Sequence, residues 1–292
     1  MFNIRLDRSA TLLWRPVVRG LNLVQGARLP ILMYHSVSHE MRAGHPYFET
    51  NTTPQVFEEQ MAWLHSNGYT AMALESAVER LKTGQLHPKH VVITFDDGLR
   101  DFYTAAFPIL ERHGFTATMF VVTDWVARGV SPSGKEILTW DLTRELRDRG
   151  ISIGSHSATH SILREMNKLQ LERELADSKA AIEEQLGAAV TSFAYPYAFP
   201  QEDPGFVECF RNILARQGYT SCVTTRIGRV RPRDDKFYLP RLPVNRWDDN
   251  TLLRAKLEGA YDWLQVPQSL FKKLQQRTLR FARLSTRACL PD

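Results

Sequence analysis

The chain has 292 residues, 43% of them hydrophobic and 10% aromatic, with a formal net charge of +5. That length and composition can bury one large core or two modest ones, and they exclude a generally disordered chain. The three cysteines, Cys209, Cys222 and Cys289, follow no metal-finger or redox spacing, so a disulfide framework is not expected and a reducing compartment is the plain reading.

Residues 1–28 hold five arginines and one acid, a balance of +4. Their uncharged stretches, Ser9 to Trp14 and Gly20 to Ala27, are too short or too interrupted for an export signal. No stretch of the chain reaches the length of a membrane span. "LPILMY" (29–34) then reads as a strand, and "TPQVFEEQMAWLHSNG" as a helix started near Thr53 and stopped by Gly68. "HVVITF" (90–95) reads as a buried strand, followed by a helix near 101–113. "TATMFVV" (116–122) is the next strand, with a helix over 140–149. "ISIGS" (151–155) is a short strand. The helix expected over 168–186 keeps Leu171, Leu175, Ile182 and Leu186 on one apolar face. "TSFAYP" (191–196), a helix near 204–217 and "YTSCVTT" (219–225) continue the alternation.

Residues 251–292 carry a balance of +5, which leaves −4 for the section between the two ends. The basic excess therefore lies outside the section with the chemical motifs, and nucleic acid is not expected as a partner. The segment "LFKKLQQRTLRFARL" (270–284) sets Phe271, Leu274, Thr278 and Phe281 on one side among basic residues. It suits a helix resting on anionic lipid, or one packed on the domain. The expectation is a basic arm (1–28), a catalytic domain (29–250) and a basic amphipathic extension (251–292). The location expected is cytoplasmic, with peripheral contact to anionic membrane through the basic tails.

Strand and helix alternating over some two hundred residues argue for a parallel sheet covered by helices. The fold expected is a distorted (β/α) barrel, complete or short of strands, with an open doubly wound sheet as second choice. In both, ligands sit beyond the carboxyl ends of the strands. His35, Asp96–Asp97, His156 and Pro196–Tyr197 all fall at such ends and should converge on one mouth.

The pair Asp96 and Asp97 closes a buried run with two like charges, which raise each other's cost of ionisation unless a cation or a proton separates their roles. In "IGSHSATHSIL", His156 and His160 are four apart and can face one ion if the segment coils. With an aspartate from another strand end they make a two-histidine, one-carboxylate set that leaves positions open for water and substrate. Successive residues on an extended backbone point to opposite sides, so Asp97 can reach the ion while Asp96 points toward its water. Gly98 lets the chain turn beside them. The plain alternative is that one of the aspartates merely caps the following helix.

"TFDDG" (94–98) with "HSATH" (156–160) resembles the first two motifs of the polysaccharide deacetylases, the NodB-like carbohydrate esterases of family 4. "FAYPY" (193–197) and "ILMYHSV" (31–37) resemble the branch that de-N-acetylates poly-β-1,6-N-acetylglucosamine. The resemblance spans roughly residues 29–245. It implies a divalent metal, commonly zinc, with cobalt, nickel and manganese as alternatives, and hydrolysis of an acetyl group on an N-acetylated glycan. It further implies Asp96 as general base, Asp97, His156 and His160 as ligands, and Pro196 and Tyr197 as walls, the Tyr197 N–H helping to bind the oxyanion.

Two departures stand out. Where the commoner pattern ends in leucine-x-histidine, the nearest match is Leu239-Pro240-Arg241, and arginine cannot donate a proton at neutral pH. His35 is expected to supply the acid instead, with Arg241 holding Asp96. The arginine usual in the third motif is replaced by Phe193. Two other readings stay open: a hydrolase of a non-sugar or cyclic amide on the same fold, and a non-catalytic glycan- or membrane-binding relic.

Overall fold

The protein is described by a computed structural model over residues 5–20, 28–40 and 44–270. Seven parallel strands form the barrel: β1 (Ile31–Tyr34), β2 (His90–Phe95), β3 (Thr118–Val121), β4 (Ser152–Ser155), β5 (Ser192–Ala194), β6 (Ser221–Ile227) and β7 (Leu239–Pro243). Each strand pairs with the next, and β7 pairs back onto β1 through Leu32 opposite Leu242. The expected barrel is therefore closed, and every strand ends on the same side. Two residues, Thr70 and Ala71, add a short strand to β2 outside the ring.

Helices wrap the outside: α1 (Leu6–Gly20), α2 (Pro54–Ser66), α3 (Leu74–Lys82), α4 (Phe107–Arg112), α5 (Thr123–Arg128), α6 (Trp140–Asp148), α7 (Lys168–Leu186), α8 (Pro204–Arg216) and α9 (Asn250–Glu258). Helix α7 begins with a reciprocal cap between Asn167 and Gln170 and ends where Gly187 takes a left-handed conformation, φ 61°. Its inner face buries Leu171, Leu175, Ile182 and Leu186. Ser178, in the same stripe, bonds Ser155 of β4 at 2.8 Å. Thr53 and Asp203 cap α2 and α8 one way, accepting from the N–H of Val56 and of Phe206, and each is followed by a proline that loses nothing by lacking an N–H.

The single helix expected over 101–113 is two pieces. Pro108 has no N–H to return to the preceding turn, and the chain widens into a π-helical turn over Phe102–Ala106 before α4. Helices α1, α3, α5 and α9 and strand β7 were not expected. In α3 and α5 the residue before the first turn forms no side-chain cap, so the usual start signal is missing. Strand β7 contains Pro240 and ends in Pro243, residues that argue against a strand paired on both sides. Most of the amphipathic segment expected over 270–284 lies outside the described residues.

Ile31, Val92, Phe120, Ala194, Val223 and Leu239, one from each of six barrel strands, pack in one buried cluster. On β4 the corresponding residue is Gly154. A methyl group there would come within 2.5 Å of the Phe120 ring, so glycine makes the room that the ring fills. By the two-residue period of the strands, Thr94, Asp96 and Arg241 continue the same inward rows toward the carboxyl end. The interior thus changes from an apolar floor to a charged mouth.

Candidate active site and metal centre

Asp96 and Asp97 leave the end of β2. Asp97 and Gly98 are both left-handed, φ 76° and 69°, so the chain turns sharply and the two carboxylates separate. A side chain at position 98 would press on Val121, 3.2 Å from its Cγ1. Ser157, His160 and Tyr197 are also left-handed, at φ 68°, 59° and 57°. Among the described residues these three and Asp97 are the non-glycine positions with positive φ, and all lie in the motif loops.

His156 and His160 do meet, although the segment between them is an irregular turn and not a helix. The Ser157 hydroxyl accepts the His160 N–H at 3.0 Å and closes that turn. His156 is buried, and its Nδ1 donates to the carbonyl of Ala194 at 2.7 Å. That bond fixes the tautomer and leaves the Nε2 lone pair free. Nε2 of His156 lies 3.6 Å from Asp97 Oδ1, and Nε2 of His160 lies 3.5 Å from the same oxygen. The His160 ring sits between Trp125 and Tyr197, with centroids 4.8 and 4.6 Å away.

Burial pushes the pKa values of both histidines down to about 4, against the opposing pull of Asp96. Both are neutral at physiological pH. His156 presents its Nε2 lone pair, while His160 Nδ1 has no hydrogen-bond partner among the described residues and its ring is free to present either nitrogen as the acceptor. Asp97 Oδ1 is buried without a hydrogen-bond partner among the described residues. A carboxylate oxygen that faces the His156 lone pair and has no donor of its own is unfavourable in a protein interior unless a cation joins them. Bonds of about 2.1 Å to one tetrahedral ion would hold the donors roughly 3.4 Å apart. Ligand atoms of Asp97, His156 and His160 all lie within 4.8 Å of one another, so the set fits one divalent ion.

Asp96 takes a different environment. Arg241, fully buried on β7, donates Nη1 and Nη2 to Asp96 Oδ1 and Oδ2, each at 2.7 Å. It also donates to Thr94 Oγ1 at 3.2 Å and to the Thr224 carbonyl at 3.1 Å. Burial alone would raise the Asp96 pKa, but Arg241 and then His156 outweigh it and hold the carboxyl well below the usual range. On its open side Asp96 Oδ2 faces His35 Nε2 at 3.8 Å and His156 Nε2 at 4.0 Å.

The structure therefore brings His35, Asp96, Asp97, His156, His160 and Arg241 together. Pro196 is buried behind Tyr197, whose ring is exposed at the rim. The Tyr197 carbonyl accepts from Thr225 Oγ1 at 3.0 Å, which holds this loop to β6. A cleft of about 230 Å³ opens beside these groups, lined among others by His35, Asp97, Trp125, Lys135, His160 and Tyr197. Lys135 donates to Ser36 Oγ at 2.7 Å, and Ser36 donates to the half-buried Asp101 carboxylate. Sequence reasoning passed over Trp125, Lys135 and Ser36. Trp125 could have been found by applying the strand-end rule to β3, since it lies four residues past Val121.

A sequence profile of the polysaccharide deacetylase family matches residues 83–221. YxkH of Bacillus subtilis, assigned to the polysaccharide deacetylases, is 33% identical over 234 residues, covering 80% of this chain and 77% of that protein. The poly-β-1,6-N-acetyl-D-glucosamine N-deacetylase of Escherichia coli is 32% identical over 140 residues, 43% of this chain but 20% of the relative. Among solved structures, the Streptococcus pyogenes deacetylase PplD, determined with acetate bound, superposes with a TM-score of 0.70 at 27% identity, covering 79% of this chain and 98% of that one. With the closed barrel and these matches together, the chain belongs to the polysaccharide deacetylase family of hydrolases.

Proposed function

We propose that the protein removes N-acetyl groups from chains of β-linked N-acetylglucosamine with the help of one divalent cation held by Asp97, His156 and His160. Zinc suits a two-histidine, one-carboxylate set best, with cobalt, nickel or manganese as alternatives. The observation that carries this reading is Asp97 Oδ1, which has no hydrogen-bond partner among the described residues and lies 3.6 and 3.5 Å from two imidazole nitrogens. The name of the Escherichia coli relative supports the choice of glycan. Bound there, the ion would supply a water made acidic at neutral pH and polarise the acetyl carbonyl.

Asp96 acts as general base. Its depressed pKa keeps it ionised and makes it a weak base, so it draws a proton only from a water whose acidity has already been raised. The same low affinity lets it give the proton up again. His35, 3.8 Å from Asp96 Oδ2, protonates the departing amine, which leaves poorly as an anion. The Tyr197 N–H donates to the carbonyl oxygen as negative charge gathers on it, and the Tyr197 and Trp125 rings flank the sugar.

Acetate release from a soluble β-1,6-linked N-acetylglucosamine oligomer tests the proposal. Activity should vanish on chelation and return with zinc. Asp96→Asn should lose about 10²–10⁴-fold in kcat with its metal content unchanged. Near-normal turnover by Asp96→Asn, or activity indifferent to chelation, rules the assignment out.

A further inference from the structure

Helix α1 meets the protein through polar contacts and through Val18 and Leu12, which pack on Ala255 and Ala260, and it turns a second apolar stripe to solvent. Asp7, Thr11 and Val18 are its buried residues. Asp7 accepts the Tyr261 hydroxyl at 2.7 Å and pairs with Arg5, which also reaches Asp248. Thr11 accepts from Trp263 Nε1 at 3.2 Å. Arg8 pairs with Asp249, and Arg15 with Glu258 at 2.8 Å. These bonds fix the roll of the helix about its own axis. On the other side Leu6, Leu13, Trp14 and Val17 are 74%, 80%, 42% and 36% exposed. Their spacing puts them on one face, and no described residue covers it. An amphipathic helix packed the ordinary way would bury this stripe. Here the ion pairs hold it outward.

The chemistry nearby favours lipid as the occupant. Trp263, bonded to α1, lies seven residues before Leu270, beyond which the chain holds six Lys and Arg and one acid. An apolar stripe that itself holds a tryptophan, Trp14, on a chain whose two ends carry balances of +4 and +5 in sequence, is what an anionic bilayer surface takes. We propose that α1 is a peripheral membrane-binding helix, whose Leu6, Leu13, Trp14 and Val17 enter the boundary between headgroups and acyl chains. The inference rests on a surface remote from the catalytic groups and does not depend on which glycan is hydrolysed.

The test is sedimentation of the full chain with vesicles of phosphatidylcholine, with and without phosphatidylglycerol. The protein should sediment with the anionic vesicles. Leu13→Glu with Val17→Glu should lower the bound fraction about tenfold while circular dichroism and activity on a soluble oligomer stay unchanged. Wild-type protein remaining in the supernatant overturns the proposal. So does undiminished binding by the double variant, which would assign the contact to the basic segment after Leu270. Wild-type dimers that the double variant disperses, with no vesicle binding, would overturn it in favour of a second copy of the chain.

Discussion

Arg241 grips Asp96 with two parallel hydrogen bonds of 2.7 Å, and both side chains are almost fully buried. The pairing joins β7, the last strand of the barrel, to the end of β2 across its interior. It keeps a buried carboxylate ionised and aimed toward His35 and His156, and it closes the charged layer above the apolar floor.

Removing one partner of such a pair strands the other. Arg241→Ala should cost about 3–5 kcal/mol in urea denaturation, because the Asp96 carboxylate is left buried with no guanidinium. Burial is then the dominant influence on Asp96, and its pKa moves up. The double variant Arg241→Met with Asp96→Leu should recover most of the stability and none of the activity. If that double variant is as unstable as Arg241→Ala, the pair is not the source of the loss.

Much of this site could be read in the chain because parallel strands in one layer end on one side. Once the apolar runs were identified, His35, Asp96, Asp97, His156 and Tyr197 had to share a mouth. Strand β7 resisted that reading because Pro240 and Pro243 break the pattern of a paired strand, so the depth of Arg241 could only be guessed. Left-handed backbone at Asp97, His160 and Tyr197 leaves no trace in a sequence when the residue is not glycine. The orientation of α1 was hidden for another reason. Periodicity shows that a helix has two faces but not which one meets the protein, and here the inward face is held by ion pairs, hydrogen bonds and the packing of Val18.

The two metal-facing histidines make the stability of the chelated protein depend on pH. Their pKa values are about 4 in the folded state against the ordinary 6.5, so the unfolded chain binds protons first as pH falls. The stability associated with their neutral forms is fully present above 6.5 and is lost as pH falls toward 4. Asp96, lowered from 3.8, loses its contribution only below that value. In metal-free protein the urea midpoint should therefore drop between pH 6.5 and 4, and His156→Gln with His160→Gln should flatten that slope. An equal slope in the double variant would place the titrating groups elsewhere.

Asp97 trades stability for binding. Its carboxylate Oδ1 is buried without a hydrogen-bond partner among the described residues, and its backbone is left-handed, a conformation asparagine also tolerates. Asp97→Asn removes the charge and keeps the shape. Without metal, the variant should melt at or above the wild-type temperature. Zinc should raise the melting temperature of the wild type by mass action and leave the variant unmoved. Zinc raising both equally would mean that the ion binds elsewhere.

His35 can be tested through the leaving group. If it protonates the amine, His35→Gln should slow amide hydrolysis by about 10²–10⁴-fold and remove the alkaline limb of the rate profile, with metal content intact. An aryl acetate departs as a stable phenolate and needs no proton, so the same variant should hydrolyse it at close to the wild-type rate. The two substrates separate acid catalysis from a support role, because His35 also stands 3.8 Å from Asp96 and its loss could disturb the base. Damage to Asp96 would slow ester and amide alike, since both need the water deprotonated. Equal losses on the two substrates would therefore move His35 from proton donor to a residue that positions Asp96.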